Sequence, residues 1–597
     1  MPGDAPNRNH AFTRAFFAEL VRSGVAHACI CPGSRSTPLT AAAHREPGLR
    51  CWSHIDERSA GFFALGLAKA SRAPVALVCT SGTAAVNFHP AVVEAHHAGV
   101  PLLVLTADRP PELRDWGAGQ TIDQHALYGS AVRWFAEAPV PEPGDAALRQ
   151  ARALACRAAA VSAGVAPGPV HLNLPFREPL APAPVAGDLG DAGALARAGR
   201  GDRAYTRVAE TTRAPSNEVA RALAEQLRGI ERGVVVCGPS DVREDEARAI
   251  AELAHTLGWP LFAEATSQLR CGAAAACAPL VSQFDALLRA EAFAENLRAD
   301  CVLRFGATPT SKAFRLWLEG TRPQHVLHVD PAGVWHDASH LASEVLPFAP
   351  GALCDALRVH LGAPRSSRWL EAALAAEHRA LGVVEAELTS DATLHGPGVV
   401  RELGAQLPAG ATLYVSNSLA VRDLDAFLPP GTPPLRVLCN RGANGIDGML
   451  SSALGAAAAD ATRPTVLLTG DLAFLHDAGA LLAARRNELS ATIVVLDDDG
   501  GAIFSMLPVA AHAEAVGYEK HFRTRHGADI CAIAGAYAAR AIDITSWEHF
   551  RTELKQALAE AGVSVLRVPI DPAHALARRR EIASAIAGAV AAEAAPR

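Results

Sequence analysis

The sequence predicts an α/β protein made of three doubly wound parallel-sheet domains. Short apolar runs typical of buried strands alternate with helical segments in three successive parts of the chain, and this alternation favours parallel sheets with helices on both faces. A chain of 597 residues is also too long for a single hydrophobic core. Three units of similar size suggest duplication of one doubly wound plan.

Changes of composition divide the chain. The predicted divisions are a first domain over 1–185, a Pro-, Ala- and Gly-rich linker over 186–215, a central domain over 216–365, a helical spacer over 366–393 and a third domain over 394–597. The predicted strands are 26–31, 50–55, 75–79 and 102–106 in the first domain, 233–239, 301–306 and 325–330 in the central domain, and 412–415, 436–439, 465–469 and 492–496 in the third.

Composition excludes several classes of function. A net charge of -7 and a pI near 6.4 argue against a general polyanion binder such as a nucleic-acid-binding protein. The polar N-terminus and the lack of any long apolar stretch argue against secretion or membrane insertion. The twelve cysteines fall mostly in apolar runs without repeated zinc spacing, which is typical of reduced core thiols. We therefore expect a cytoplasmic protein.

Two acidic turns in the third domain predict a site for a divalent metal and a diphosphate. Gly470-Asp471-Leu472 follows one predicted strand, and Asp498 and Gly500 follow the next, with a predicted helix over 478–486 between them. Both turns should therefore lie at the carboxyl edge of one parallel sheet, where such sheets bind ligands. Two carboxylates and a main-chain carbonyl suit Mg²⁺. Each turn alone is equally typical of an ordinary strand end.

Glu57 stands at a predicted strand-to-helix junction in the first domain. Partial burial there would raise its pKa, so that it could share a proton with a bound nitrogen heterocycle at neutral pH. The ordinary alternative is a solvated glutamate that stabilises the helix dipole.

Together these features resemble the thiamine-diphosphate-dependent decarboxylase superfamily, in which one domain supplies a glutamate and another binds the metal. The superfamily's Gly-Asp-Gly and Asn-Asn are here Gly470-Asp471-Leu472 and Asp498-Asp499, and a carboxylate at Asp498 can still bind Mg²⁺. Longer stretches closely resemble the menaquinone-biosynthesis synthases that join 2-oxoglutarate to isochorismate. These stretches are CPGSRSTPL (31–39), TSGTA (80–84), LTADRPPEL (105–113), GQ (119–120), NSLAVR (417–422), NRGANGIDG (440–448) and GGAIFSMLP (500–508).

The resemblance runs from about residue 9 to 508 and is weak in the central domain. It implies a pyrimidine-binding domain, a central domain and a pyrophosphate-binding domain of the thiamine-diphosphate enzyme fold. It also implies thiamine diphosphate and Mg²⁺, or Mn²⁺, as cofactors. The implied metal ligands are Asp471, Asp498 and the carbonyl of Gly500, and the implied cofactor-binding residues are Glu57, Ser81, Ser418, Ile446, Gly470, Asp471, Leu472, Gly501 and Ile503.

The implied enzyme is a transferase that forms a carbon–carbon bond after decarboxylation. Both substrates are dianions, and arginine is well shaped to bind carboxylates, although a surface ion pair is the commoner fate of an arginine. The resemblance assigns Ser418, Arg422 and Arg441 to 2-oxoglutarate and Ser34, Arg35, Arg109 and Gln120 to isochorismate. The implied catalytic residues are Glu57, Arg35, Gln120 and Ser418.

Three further assignments concern the central domain, the pocket wall and the tail. Lys312 matches a substrate-side lysine, but Ala313 stands where the family can have an arginine, and Arg315 is the candidate replacement. Ile503, Phe504 and Leu507 would wall the pocket and exclude water, or would equally be core residues. The Ala-rich tail from about residue 573 is expected to be a solvated terminal helix.

Members of the family build each active site between two subunits, so we expect a homodimer or homotetramer. The nearest alternative function is another thiamine-diphosphate enzyme, such as an acetohydroxyacid synthase or a 2-oxo acid decarboxylase. A catalytically silent binding protein of the same fold is a second alternative, and an unrelated nucleotide-binding protein ranks last. Residues 233–241 lack a full Gly-x-Gly-x-x-Gly, so we expect no FAD.

Overall fold

The computed structural model describes residues 5–591, which contain three six-stranded parallel sheets. The strands of the first sheet are β1 (His27–Ile30), β2 (Arg50–Ser53), β3 (Val75–Cys79), β4 (Leu102–Asp108), β5 (Trp134–Glu137) and β6 (Val170–Pro175). Their order across the sheet is β2-β1-β3-β4-β6-β5. Its helices are α1 (Arg8–Arg22), α2 (Thr37–Arg45), α3 (Glu57–Ser71), α4 (Thr83–Asn87), α5 (His89–Ala98) and α6 (Asp145–Ser162), and α7 (Ala194–Ala198) follows within the predicted linker.

The second sheet forms the centre of the chain. Its strands are β7 (Gly233–Cys237), β8 (Leu261–Ala263), β9 (Leu280–Val281), β10 (Cys301–Phe305), β11 (His325–Val329) and β12 (Glu344–Leu346), in the order β12-β11-β10-β7-β8-β9. The helices of this part are α8 (Asn217–Arg228), α9 (Glu244–Leu257), α10 (Gly272–Cys277), α11 (Phe284–Arg289), α12 (Glu291–Asn296), α13 (Lys312–Thr321), α14 (Pro350–Leu361) and α15 (Arg368–Ser390).

The third sheet repeats the order of the first. Its strands are β13 (Thr412–Val415), β14 (Arg436–Cys439), β15 (Thr465–Gly470), β16 (Ala491–Asp497), β17 (Arg540–Asp543) and β18 (Val563–Pro569), in the order β14-β13-β15-β16-β18-β17. The helices are α16 (Gly396–Gln406), α17 (Leu419–Phe427), α18 (Met449–Ala459), α19 (Asp471–Asp477), α20 (Ala480–Arg486), α21 (Ala513–Val516), α22 (Ile530–Ala536), α23 (Trp547–Ala559) and α24 (Pro572–Ala591).

The predicted fold class of three doubly wound parallel sheets is confirmed. The helix predicted over 478–486 is confirmed as α20, which begins two residues later, and a short helix that was not predicted, α19, precedes it directly after β15. The domain boundaries at 185, 215, 365 and 393 stay predictions. No helix among residues 5–591 has both the length and the apolar character needed to cross a membrane.

Helices α3 and α18 join the first and third sheets at very close range. A Cβ atom added at Gly66 would lie 1.8 Å from the carbonyl oxygen of Ser452, and one added at Gly455 would lie 2.0 Å from that of Phe63. The two backbones therefore touch, which only glycine permits at these positions. This crossing fixes the helix that begins at Glu57 against the third domain.

The expectation of a solvated C-terminal helix is wrong for the described part of the tail. Helix α24 buries Ile582, Ile586 and Val590 in the core shared by the central and third domains. These residues recur every four positions and so form one apolar face; the many alanines around them hide that periodicity. Residues 592–597 of the predicted tail lie outside the described residues.

Candidate active site

A cleft at the carboxyl edge of the third sheet collects most of the predicted cofactor-binding residues. The turns that follow β13, β14, β15 and β16 form its walls, and the start of α24 closes the far side. The predicted site residues that line the cleft are Ser418, Ile446, Gly470, Asp471, Leu472, Asp498, Gly500, Gly501, Ile503 and Phe504. Parallel strands bring their carboxyl ends to one edge, which is why residues so distant in sequence meet here.

Asp471 and Asp498 form an acidic pair in this cleft. Asp471 is 3% exposed, and its Oδ2 accepts the N–H of Gly500 at 2.8 Å. Burial, together with the negative charge of Asp498, raises the pKa of Asp471 to about 7. Burial also raises the pKa of Asp498. Asp471 is a buried carboxylate whose ionisation the half-buried Asp498 opposes, and a divalent cation would stabilise such a set of oxygen donors, so the residues present fit a magnesium ion.

Arg523, which the sequence did not indicate, holds the turn that carries Asp498. Its Nη1 donates to Asp498 Oδ1 at 2.7 Å and its Nη2 donates to the Asp498 carbonyl. The Arg523 carbonyl in turn accepts the N–H of Gly501 at 2.7 Å. Gly500 has φ +130°, and a Cβ added there would lie 2.1 Å from the same carbonyl. The turn is therefore closely fitted on both sides and depends on glycine.

A second ligand set overlaps the predicted one. Ligand atoms of Asp471, Asp497 and His526 all lie within 4.8 Å of one another. His526 Nε2 is 3.2 Å from Asp471 Oδ2, whereas Asp497 also accepts a hydrogen bond from Arg567 Nε at 2.6 Å. The predicted ligand set shares only Asp471 with this cluster. His526 stands 55 residues beyond Asp471, and no spacing pattern in the sequence points to it.

Ser418 and Ser416 mark the side of the cleft next to α17. Ser418 has φ +67° and ψ -128°, an uncommon conformation for a residue with a side chain. The buried hydroxyl of Ser416 has no hydrogen-bond partner among residues 5–591. Backbone strain and an unpaired buried hydroxyl are features that cluster at ligand sites, and they fit a polar ligand such as a diphosphate.

Arg422 and Arg441 each donate a hydrogen bond to a residue that lines the cleft. Arg422 Nη1 donates to the Ser418 carbonyl at 2.6 Å, and Arg441 donates to Asn417 Oδ1 and Thr310 Oγ1, both at 3.0 Å. All three acceptors are neutral. The surrounding protein atoms and the nearby Arg441 cation lower the pKa of Arg422. The carboxylates of Asp285, Asp423 and Glu264 act on Arg422 only through their charge, and the two guanidinium groups, which donate to neutral acceptors, can still bind an anion.

Glu57 lies on the first domain, as the first residue of α3, and is half-buried. Burial, with a contribution from the charge of Asp56, raises its pKa. The next residues fix this end of the helix: Arg58 Nη2 donates to the His476 carbonyl at 2.9 Å, and Ser59 Oγ donates to Asp477 at 3.3 Å. The carboxyl group therefore has the raised proton affinity that the sequence predicted for it.

A second pair of cations, Arg35 and Arg109, lies on the turns of the first sheet. Arg35 donates to a main-chain carbonyl at 2.9 Å, and its buried Nε has no hydrogen-bond partner within the described range. Arg109 donates to the hydroxyl of Ser81 and, at 2.9 Å, to the carbonyl of Gln120. Burial and the Arg35 cation lower the pKa of Arg109. Ser34 is exposed in the same region, directly before Arg35.

The central domain contributes less than the sequence suggested. Lys312 is exposed at the start of α13, and Ala313 is buried in the core. Arg315 points to the surface, where its Nη1 lies 3.6 Å from a carboxylate oxygen of Glu319. That surface ion pair gives no support to Arg315 as a replacement for the missing cation.

Ile503 and Phe504 are half-buried and line the cleft, as predicted for pocket walls. Leu507 is 45% exposed and is not one of the lining residues. The alternative that these three residues are core residues is therefore wrong.

The predicted site residues thus form two groups on two different sheets. Within residues 5–591, no predicted site residue of the first domain lines the cleft of the third domain. Glu57 with the Arg35–Arg109 pair faces one sheet edge, and the acidic pair with Arg422 and Arg441 faces another. We name these two groups of predicted residues the two half-sites.

Three profiles of thiamine pyrophosphate enzyme domains match the chain. They are the N-terminal TPP binding domain over residues 11–127, the middle domain over 200–415 and the C-terminal TPP binding domain over 426–568. The chain also matches a solved structure described as a thiamin diphosphate-dependent enzyme from Mycobacterium smegmatis. That match has a TM-score of 0.67 and 20% identity and covers 95% of this chain and 99% of the other, so it supports the fold alone.

Several relatives are much more similar in sequence, and they share the name 2-succinyl-5-enolpyruvyl-6-hydroxy-3-cyclohexene-1-carboxylate synthase. The protein from Myxococcus xanthus is 47% identical over 96% of both chains. The one from Halobacterium salinarum is 44% identical over 98% of this chain and 99% of its own. The one from Geobacillus kaustophilus is 45% identical over 93% of this chain and 94% of its own. The chain therefore belongs to the 2-succinyl-5-enolpyruvyl-6-hydroxy-3-cyclohexene-1-carboxylate synthase family of thiamine pyrophosphate enzymes.

Proposed function

We propose that the protein decarboxylates 2-oxoglutarate and adds the remaining succinyl semialdehyde unit to isochorismate. The product is 2-succinyl-5-enolpyruvyl-6-hydroxy-3-cyclohexene-1-carboxylate. The observation that carries this proposal is the presence of two separate arginine pairs, Arg422 with Arg441 and Arg35 with Arg109, in each of which burial and the neighbouring cation lower the pKa of one member. Two dianionic substrates require two cationic sites, whereas pyruvate has no second carboxylate to bind.

Thiamine diphosphate, when bound, supplies the carbon nucleophile and the electron sink for the decarboxylation. Asp471, Asp498 and the carbonyl of Gly500 would hold the magnesium ion that anchors its diphosphate, since Mg²⁺ prefers oxygen ligands over the imidazole of His526. Glu57, with its raised pKa, would share a proton with a ring nitrogen at its carboxylate oxygen. Ile446 would support the cofactor from the wall of the cleft.

The remaining residues would orient the substrates and exclude water. Arg422, Arg441 and Ser418 would hold the carboxylates of 2-oxoglutarate at the rim of the cleft. Ile503 and Phe504 line the cleft with apolar surface, which would limit access of water to the reacting carbon.

The substrate side of the first domain would bind isochorismate through four residues of the turns at its sheet edge. We assign this role to Ser34, Arg35, Arg109 and Gln120. Lys312, which is exposed on the central domain, is assigned to substrate binding on sequence grounds alone. Leu507 is proposed as an outer wall residue on sequence grounds alone.

We also propose a homodimer or homotetramer in which Glu57 of one subunit completes the cleft of another. The separation of the two half-sites supports this arrangement, because the first-domain residues do not line the cleft of their own chain. Co-expression of Glu57→Gln and Asp471→Asn chains tests it. Random pairing should restore about a quarter of wild-type activity, because one site of each mixed dimer is intact. No recovery would contradict a shared site.

CO₂ release by the purified protein with thiamine diphosphate and Mg²⁺ tests the reaction. We expect release from 2-oxoglutarate that rises when isochorismate is added and falls sharply in Glu57→Gln. Consumption of pyruvate with 2-oxoglutarate inert would instead favour an acetohydroxyacid synthase or a related decarboxylase. Cofactor binding without any turnover would favour a catalytically silent protein.

A further inference from the structure

Glu94 is a buried carboxylate of the first domain that grips a turn of the third domain. It lies on α5 and is 3% exposed. Its Oε1 accepts the N–H of Gly442 at 2.9 Å, and its Oε2 accepts the N–H of Ala443 at 2.6 Å. Both donors belong to residues 440–447, which we name the 440–447 turn. One acidic side chain therefore uses both oxygens to fix two successive main-chain groups in another domain.

The 440–447 turn carries two residues of the proposed active site. Arg441 stands directly before the two gripped N–H groups, and Ile446 follows them and lines the cofactor cleft. The Arg441 guanidinium bonds Asn417 and Thr310, but its buried Nε has no hydrogen-bond partner in the described part of the chain. A shift of the turn would thus move a proposed substrate anchor and a proposed cofactor support together.

The ends of the turn are held separately from its middle. Asn417 Nδ2 donates to the carbonyls of Asn440, at 2.8 Å, and Gly445, at 2.6 Å. Between these two points lies the Glu94 contact, at which a Cβ added to Gly442 would lie 2.7 Å from the main chain of Glu94. The close packing and both hydrogen bonds to the Glu94 carboxylate therefore occur at Gly442 and Ala443.

Two further observations make Glu94 the main polar support of the middle of the turn. A cavity of about 320 Å³ borders Glu94, Ala443, Gly445 and Asp447, so beyond the close contact at Gly442 this side of the turn faces open space. Lys69 on α3 brings its Nζ to 3.8 Å from Glu94 Oε1 and also donates to the carbonyl of Cys439 just before the turn. The lysine charge balances a carboxylate that would otherwise be costly to bury.

We infer that Glu94 is a positioning residue for this active site: through the 440–447 turn it places Arg441 for 2-oxoglutarate and Ile446 for the cofactor. The role of Glu94 in placing Arg441 for 2-oxoglutarate rests on the proposed function. Its role in placing Ile446 for the cofactor depends only on membership of the thiamine pyrophosphate enzymes. Isochorismate binding should be largely independent of Glu94, because its proposed residues lie on the turns of the first sheet.

The test is Glu94→Gln, which keeps the shape of the side chain but leaves a single acceptor oxygen and no charge. Steady-state kinetics should show the KM for 2-oxoglutarate raised about tenfold, the equivalent of ~1.4 kcal/mol. The KM for isochorismate should change less than about twofold. The dissociation constant of thiamine diphosphate, measured by near-UV circular dichroism with Mg²⁺ present, should rise by at least about threefold.

Glu225→Gln is the matched control, because Glu225 is an exposed glutamate on α8; it should leave all three constants unchanged. Glu94→Asp keeps the charge but withdraws it by one methylene, and it replaces Glu94→Gln if that variant does not fold. Equal rises in both KM values, or a lower melting temperature with unchanged constants, would overturn the inference and leave Glu94 a structural residue. If the wild type does not use 2-oxoglutarate, the proposed function fails, and the cofactor dissociation constant alone decides the role of Glu94.

Discussion

Replacing Gly455 by alanine should force helices α3 and α18 apart. The new Cβ would lie 2.0 Å from the carbonyl oxygen of Phe63 and 2.9 Å from the N of Leu67. Both atoms belong to the main chain of α3, so no side chain can rotate away to relieve the contact. Because α3 begins at Glu57 and α18 follows the 440–447 turn, the separation would disturb the packing between the glutamate helix and the third domain.

The expected magnitude follows from two opposing effects. Overpacking in a tight core costs about 1–3 kcal/mol, and a clash between main chains falls at the upper end of that range. Alanine recovers about 1 kcal/mol of helix propensity over glycine. The net destabilisation is therefore about 2 kcal/mol.

Gly382 supplies the matched control. It is exposed in the middle of α15, and a Cβ added there meets nothing within 4 Å. Gly382→Ala should stabilise the protein by up to about 1 kcal/mol, so the two variants should differ by about 3 kcal/mol. Thermal unfolding at one scan rate should place their midpoints several degrees apart. The helix-crossing argument is refuted if Gly455→Ala unfolds at or above the temperature of Gly382→Ala.

Three further predictions concern the metal, pH and the C-terminus. Asp498→Ala should weaken Mg²⁺ binding in the presence of thiamine diphosphate by at least about tenfold in calorimetric titration, and by more than Asp497→Asn. Burial and the charge of Asp425 raise the pKa of Glu264 to about 8. The folded state therefore holds a proton that the unfolded chain loses above about pH 4.3, so stability falls as pH rises towards 8, by up to about 1.4 kcal/mol per pH unit. Asp471, whose pKa is also raised, contributes to the same slope, so Glu264→Gln should reduce the slope in urea unfolding between pH 5 and 8 without abolishing it. Ile582→Ala should cost about 2–5 kcal/mol, because the side chain is 2% exposed in the core beneath α24.

Each of these has a clear contrary result. A stronger loss of Mg²⁺ affinity in Asp497→Asn than in Asp498→Ala would mean that Asp497, and not Asp498, is the second carboxylate ligand of the metal. A pH slope in Glu264→Gln as steep as that of the wild type would mean that other groups cause it. Unfolding of Ile582→Ala at the wild-type urea concentration would show that α24 is not part of the core.

The strands that the sequence predicted well are those with an apolar centre. Predictions for β3, β13 and β14 match the observed bounds, because the central residues of strands in a parallel sheet that is covered on both faces are apolar and buried. The strands that the sequence did not predict lack such an apolar centre or are very short. Polar His171 and Asn173 interrupt β6, where they bond to Thr106, and β9 has only two residues.

The same contrast holds for the site. Asp471 and Asp498 were predictable because each directly follows a strand, and Glu57 because it begins the helix after β2; the carboxyl edge of a parallel sheet is where ligands bind. Arg523, His526 and Glu94 were not, because their contacts join segments with no local pattern between them. Glu94 meets its two donors 348 and 349 residues away.

The most direct test of the central claim is the stoichiometry of the complete reaction. Purified protein with thiamine diphosphate and Mg²⁺ is given isochorismate and 2-oxoglutarate labelled at C1, the carboxyl carbon next to the keto group. Labelled CO₂ and residual isochorismate are then measured together. The account predicts one CO₂ released per isochorismate consumed and a product that contains the four remaining carbons of 2-oxoglutarate. Release of CO₂ with isochorismate left intact would contradict it.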